Sequence, residues 1–95
     1  MTPEARVRNA VVAYARLRGC LHLRMHMGRG ARSGWPDDLF FNKMGQPLFV
    51  EFKRPGGTAT RMQRRAIANL DAHKVCAVVC DDVDVGKRLI DDFTE

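Results

Sequence analysis

The chain has 95 residues, of which 45% are apolar and 28% are charged, and its formal charge at pH 7 is +5. This length suits one domain, which we place at residues 1–95, and the composition is that of a soluble globular protein. No apolar run approaches the roughly 20 residues of a membrane span, and arginines interrupt the first apolar stretch. We therefore expect no membrane span, no signal peptide and a cytoplasmic location.

The basic charge is distributed unevenly along the chain. Ten of the sixteen lysines and arginines fall within residues 6–32 and 61–65, whereas the stretch from Asp81 onward is acidic. Arginine suits phosphate because its planar fork bonds two oxygens at once. A basic helix face can also be merely solvated, but the concentration of arginine favours a polyanionic partner such as nucleic acid.

The predicted elements begin with a helix that starts at Thr2-Pro3-Glu4 and stops at Gly19. Thr2 can cap this helix, proline suits the first turn, and apolar residues then recur at helical spacing. Residues 21–27 alternate apolar side chains with histidine and arginine, which predicts a half-exposed strand. His22, on the polar side of this strand, is expected to be exposed or to flank a DNA or dimer surface, without a catalytic role.

Two more strands follow, at residues 39–41 and 48–52, and short turns make the three strands an antiparallel meander. A second helix is predicted at residues 59–73. The apolar run at residues 75–80 predicts a central strand, parallel to the third and buried on both faces, with buried thiols at its two cysteines. Asp81 or Asp82 then caps a last helix. The order predicts an α/β fold with a mixed sheet flanked by helices.

Two short segments carry side chains suited to catalysis. Glu51 and Lys53 are two residues apart on a strand and leave the same face, while Asp37 stands at the start of the neighbouring strand. Carboxylates are ligands that Mg²⁺ prefers, and the bound ion polarises a phosphoryl oxygen and acidifies water. The lysine can orient that water or stabilise developing charge. Taken alone, Glu-x-Lys could equally be a surface ion pair.

On these segments the chain resembles the VRR-NUC (virus-type replication-repair nuclease) branch of the PD-(D/E)XK nuclease superfamily, in its stand-alone phage and bacterial type. The matching residues are Gly34-Trp35-Pro36-Asp37, Val50-Glu51-Phe52-Lys53-Arg54-Pro55-Gly56-Gly57, Gln63 and Glu4. The resemblance extends from the first helix to the strand that ends at Cys80. It implies the restriction-endonuclease-like αβββαβ core of that superfamily, which agrees with the element order above.

The resemblance also implies roles for the matching residues. Asp37, Glu51 and the Phe52 backbone carbonyl would bind Mg²⁺ or Mn²⁺, and Lys53 would be the catalytic lysine. Glu4 and Gln63 would complete the site. Each of these two has a structural alternative from the sequence, since Glu4 suits a helix N-terminus and Gln63 closes a capping box with Thr60.

One departure from the family pattern concerns the aspartate. The single aspartate of the family is replaced here by Asp37-Asp38, whose side chains point to opposite faces of a strand. Alignment on Pro-Asp favours Asp37, although a shift at the start of the strand would substitute Asp38.

The function that follows is a metal-dependent, structure-selective DNA endonuclease. Stand-alone relatives act as homodimers on branched DNA, including four-way (Holliday) junctions, which implies the same partners here, in a bacterial cell or a phage-infected host. Arg29, Arg32, Arg61 and Arg65 are the candidates for phosphate contacts. We expect Trp35 to pack or to brace its loop rather than to stack on a base. The alternative is a non-catalytic nucleic-acid-binding module with a nuclease-like fold.

Overall fold

The first helix, α1, spans Pro3–Leu17 in the computed structural model, which describes residues 1–25 and 34–95. Thr2 begins it as predicted: the Thr2 hydroxyl accepts a hydrogen bond from the amide of Ala5 at 3.1 Å, and proline occupies the first turn. The helix turns its apolar stripe inward, so that Val7, Val11 and Ala15 are buried. The predicted start and stop of this helix are confirmed.

Four strands form one sheet in the order β1-β2-β3-β4. Their bounds are Leu21–Arg24 for β1, Asp38–Phe41 for β2, Pro47–Phe52 for β3 and Cys76–Cys80 for β4. The first three strands pair antiparallel, and β4 pairs parallel with β3. The connection from β3 to β4 runs through α2, Arg61–Ala72. The mixed α/β sheet predicted from the sequence is therefore confirmed.

The third helix, α3, spans Val83–Thr94. The main core lies between the sheet and the helices α1 and α3. The buried side chains of β2 and β3 on this face include Phe40, Val50 and Phe52. The two helices approach closely at Gly86, where an added Cβ would lie only 2.5 Å from a methyl carbon of Val11. A glycine is required there because the methyl group leaves no room for a side chain.

The second helix covers the other face of the sheet. Leu39 points away from Phe40 because side chains alternate along a strand. It is buried outside the main core cluster, and so are Ala66 and Leu70 of α2. The helix packs against β4. No helix among the described residues is long and apolar enough to cross a membrane.

The prediction that β4 is a central strand buried on both faces is wrong. In the described part of the chain, β4 pairs with β3 alone and stands at the edge of the sheet. Cys76 and Val79 are exposed, while Cys80 is buried against the core. An apolar run therefore did not distinguish a central strand from an edge strand, and the expected burial of the thiol holds for Cys80 but not for Cys76.

Candidate active site

Of the two predicted acidic ligands, Glu51 lies on β3 and Asp37 directly precedes β2, and the charge of Asp37 acts on Glu51. The register of β2 and β3 pairs Asp38 with Val50, so the pairing continued by one residue places Asp37 across from Glu51. Val50 lies in the main core, and Glu51 therefore leaves the opposite face of its strand. The sheet thus brings together the carboxylates of two segments that are separated in the sequence by the β2–β3 hairpin.

Glu51 is a buried carboxylate with a strongly perturbed pKa. Its exposed fraction is 4%, and its pKa is raised from 4.5 to about 7, first because burial disfavours the charged form and next because of the nearby Asp37 charge. The charge of Glu4 contributes in the same direction, whereas the Lys53 ammonium opposes it. A cluster of acidic groups with one cation is the pattern that a divalent ion would neutralise.

A cleft of about 390 Å³ opens between the N-terminus of α1 and the turn after β3. Glu4 lines it from the helix, and Lys53 lines it from the strand end. The turn is held by two hydrogen bonds, from the amide of Gly57 to the Arg54 carbonyl (2.8 Å) and from the amide of Gly56 to Asp81 (3.1 Å). The fold thus brings Glu4 and Lys53 to one cleft, and both charges act on Glu51.

The oxygen donors at this site suit Mg²⁺ or Mn²⁺. The described residues contain no group of three or more histidine, cysteine or acidic side chains arranged for a metal ion. The predicted ligand set of two carboxylates and the Phe52 backbone carbonyl nonetheless has the chemistry of Mg²⁺, which retains several waters and takes only one or two protein carboxylates together with substrate phosphate. The raised pKa of Glu51 adds to the fit, because a cation would stabilise its charged form.

Asp38 belongs to a different environment from Asp37. Its side chain has no exposed surface, and its two oxygens accept hydrogen bonds from Arg8 Nε at 2.9 Å and from His22 Nε2 at 2.7 Å. Arg8 also donates to Glu4 at 3.1 Å. Asp38 is therefore the centre of a buried polar network that links the sheet to α1, and through Arg8 this network contacts the carboxylate of Glu4.

Sequence reasoning missed Arg8 and assigned His22 to the wrong environment. The side chain of His22 is 8% exposed and its ring lies 4.8 Å from that of Phe40, so it is not the exposed residue we predicted. A signal for Arg8 was present: it precedes the buried residues Val12 and Ala15 by four and seven positions, which places it on their face of α1. A charged residue on a buried helix face requires a partner.

Gln63 adopts the structural alternative given by the sequence. Its side-chain Oε1 accepts a hydrogen bond from the backbone amide of Thr60 at 2.8 Å, and its backbone amide donates to the Thr60 hydroxyl at 3.2 Å. Both halves of a capping box are therefore present. A role in the site therefore remains a prediction for Gln63.

The predicted phosphate-binding arginines fall into two groups. Arg61 and Arg65 are exposed in the first half of α2, one turn apart. Arg29 and Arg32 lie outside the described residues. Arg64, between the first two, donates to the Ala59 carbonyl at 2.7 Å and so contributes to the start of the helix.

The stability of the metal-free protein is expected to fall as the pH rises through the range in which Glu51 ionises. Between about pH 4.5 and pH 7 the unfolded chain releases the Glu51 proton while the folded protein keeps it, which costs up to about 3 kcal/mol by pH 8. Glu51→Gln removes this pH-dependent loss of stability because glutamine does not ionise. The check is urea unfolding in EDTA at pH 5 and at pH 8.5. The unfolding free energy of the variant minus that of the parent should be larger at pH 8.5 than at pH 5. An equal difference at both pH values would contradict the assignment.

Comparisons with known proteins identify the family and the fold of the chain. The family model described as the VRR-NUC domain matches residues 7–84. A solved structure described as "VRR_NUC domain" is similar with a TM-score of 0.85 and 21% identity, covering 98% of this chain and 99% of its own. Another, described as "VRR_NUC domain protein", has a TM-score of 0.72 and 20% identity, covering 98% of this chain and 88% of its own. At such identities, these likenesses establish the fold. A search of curated proteins gives no match.

Because the family model spans most of the chain, the protein belongs to the VRR-NUC domain family and has its nuclease fold.

Proposed function

We propose that this protein is a metal-dependent endodeoxyribonuclease, a single nuclease domain over residues 1–95 that hydrolyses phosphodiester bonds in DNA. The observation that carries the proposal is the burial of the Glu51 carboxylate among the charges of Asp37, Glu4 and Lys53, which raises its pKa to about 7. Buried carboxylates with such perturbation concentrate at functional sites. A surface ion pair, the alternative reading of Glu-x-Lys, would leave Glu51 exposed and its pKa near the ordinary value.

The candidate ligands are the carboxylates of Asp37 and Glu51 and the backbone carbonyl of Phe52. When bound there, Mg²⁺ or Mn²⁺ supplies electrophilic stabilisation of a phosphate oxygen and lowers the pKa of water. Glu51 must give up its proton to act as a ligand, so we expect metal affinity to increase with pH through about 7.

Lys53 and Glu4 act from the walls of the cleft. The Lys53 ammonium orients the attacking water or stabilises the charge that develops on the phosphate oxygens. Glu4 accepts from Arg8, so its carboxylate is held by a guanidinium that is itself bonded to buried Asp38. This arrangement fixes the orientation of Glu4 and allows it to accept a proton or a hydrogen bond from water.

The proposed substrate is branched DNA, four-way junctions included, and the proposed active form is a homodimer in the cytoplasm of a bacterial cell or a phage-infected host. The chain is basic and offers few candidates for base reading, so recognition would depend on backbone and shape. Two symmetric active sites would suit a two-fold junction.

The test is cleavage of four-way junction, nicked, flapped and linear DNA, with Mg²⁺, with Mn²⁺ and with EDTA. We expect product only with metal, the most on branched DNA, and a loss of about 10²–10³-fold in the rate for Lys53→Ala because electrostatic stabilisation of the transition state is removed. Lys74→Ala, on an exposed residue after α2, is the matched control and should cleave normally. No metal-dependent product on any substrate would overturn the proposal. DNA binding without cleavage would support the non-catalytic alternative.

A further inference from the structure

A second concave surface lies along α2, separate from the active-site cleft. It is a groove of about 500 Å³, and we call it the α2 groove. Alanines of α2 line its apolar part, and the larger side chains around it are those of Trp35, Met62, Arg65 and Asn69. None of these residues lines the cleft that contains Glu4 and Lys53.

A short segment connects the α2 groove to Asp37, the predicted metal ligand that directly precedes β2. Gly34 packs against the backbone of α2, where an added Cβ would lie 2.6 Å from the carbonyl carbon of Met62, and its φ of +85° is one that L side chains rarely adopt. Trp35 follows directly and Asp37 comes two residues later. The wall of the groove and the acidic site are therefore held in a fixed relation by one short, tightly packed segment.

The chemistry of the groove matches a nucleobase better than it matches phosphate alone. Indole and thioether side chains suit the face of a planar ring, and an amide such as that of Asn69 can bond its polar edge. Arg65 supplies a guanidinium for the attached phosphate, and Arg61 lies one turn away on the same exposed helix face. The volume falls within the range of small-ligand sites and exceeds that of one base.

We propose that the α2 groove binds an unpaired nucleobase of the DNA substrate. This inference rests on the proposed nuclease function and deepens it, because it specifies that the substrate contains at least one base outside the duplex. It also differs from the role expected for Trp35 from the sequence, which was packing or loop bracing: Trp35 lines the groove, and its neighbour Gly34 packs against α2. The charge of α2, with three arginines and one aspartate, suits the polyanion.

The single tryptophan makes the test direct. In EDTA, which prevents cleavage, the fluorescence of Trp35 is measured while the protein binds junction DNA with one unpaired base at the branch point or with an abasic site at that position. Affinity is measured in parallel by anisotropy. We expect quenching and about 10-fold tighter binding with the base present, and neither with the abasic analogue.

Two variants localise the effect. Ala68→Leu places a larger side chain in the α2 groove at only a small cost in helix propensity, and Ala13→Leu on the exposed face of α1 is a control with the same cost. Arg65→Ala is compared with Arg88→Ala, an exposed arginine of α3, so that both variants lose one charge. The groove variants should lose the base-dependent quenching and affinity, while the controls keep both.

The outcomes separate this inference from the function on which it depends. Equal affinity for the base and the abasic site, with metal-dependent cleavage intact, overturns the nucleobase site and leaves the nuclease. Failure to bind or cleave any DNA overturns both. If Ala68→Leu instead dissociates a dimer in sedimentation experiments and the base has no effect, the groove is an interface between copies of the chain and the proposal is wrong.

Discussion

Replacing Asp37 with asparagine is expected to reduce metal-dependent DNA cleavage by about 10²–10³-fold, because loss of one metal ligand removes several kcal/mol of charge stabilisation in the transition state. The substitution keeps the size of the side chain and removes a negative charge across the strand pair from Glu51. The pKa of Glu51 should therefore move down, since the Asp37 charge is the largest electrostatic cause of its increase. The folded, metal-free protein should be at least as stable as the parent.

Three measurements check this expectation. Cleavage rates on junction DNA give the catalytic loss, calorimetric titration with Mn²⁺ gives the loss of metal affinity, and urea unfolding in EDTA gives stability. Asp92→Asn, on an exposed residue of α3, is the matched control and should behave as the parent. If Asp37→Asn cleaves normally while a folded Asp38→Asn does not, the metal ligand is one residue later than proposed.

Replacing Asp38 with alanine is expected to lower the free energy of unfolding by about 3–5 kcal/mol, since it leaves the buried guanidinium of Arg8 without its carboxylate. The side chain of His22 also loses its partner. For a domain of this size a loss of that order removes much of the total stability. The variant should still cleave DNA at low temperature, where it remains folded, because Asp38 does not share the strand face of Glu51.

Urea unfolding of Asp38→Ala beside the exposed-site control Asp92→Ala tests the effect. A compensating pair gives a sharper readout: Arg8→Met with Asp38→Leu removes both charges and should recover most of the lost stability, since apolar replacements of a buried ion pair are often neutral or stabilising. Arg8→Met alone should be as destabilising as Asp38→Ala. Additive losses in the double variant would show that the two side chains do not act as a pair.

Local sequence signals predicted the elements that are set by local chemistry. Thr2 and Thr60 begin helices because each hydroxyl caps the backbone of its own first turn. The alternation and short turns of the first three strands predicted antiparallel pairing, which the register confirms. The period of a strand predicted that Glu51 and Lys53 share a face, and in the structure the charge of Lys53 acts on Glu51; their joint role in catalysis stays a prediction.

Features that depend on residues distant in the sequence could not be predicted from local sequence patterns. The exposure of β4 depends on which strands pair with it, and an apolar run carries no information about that. The network around Asp38 joins residues that are separated by up to 30 positions, and only the helical position of Arg8 hinted at it. Local patterns therefore predicted which segments carry the candidate site, whereas tertiary packing decided that Asp38 is bonded to Arg8 in the core while the charge of Asp37 acts on Glu51.

The capping box of α2 has a consequence for the polarity of the candidate site. The carbonyl oxygen of the Gln63 side chain accepts a hydrogen bond from the amide of Thr60, which uses one of its two lone pairs, while its NH₂ group can donate hydrogen bonds and cannot coordinate a cation. If Gln63 contributes to the site as predicted, the cap favours its NH₂ as the contacting group, which suits a phosphate oxygen or a water better than the metal. A helix cap thus biases a glutamine toward donating a hydrogen bond.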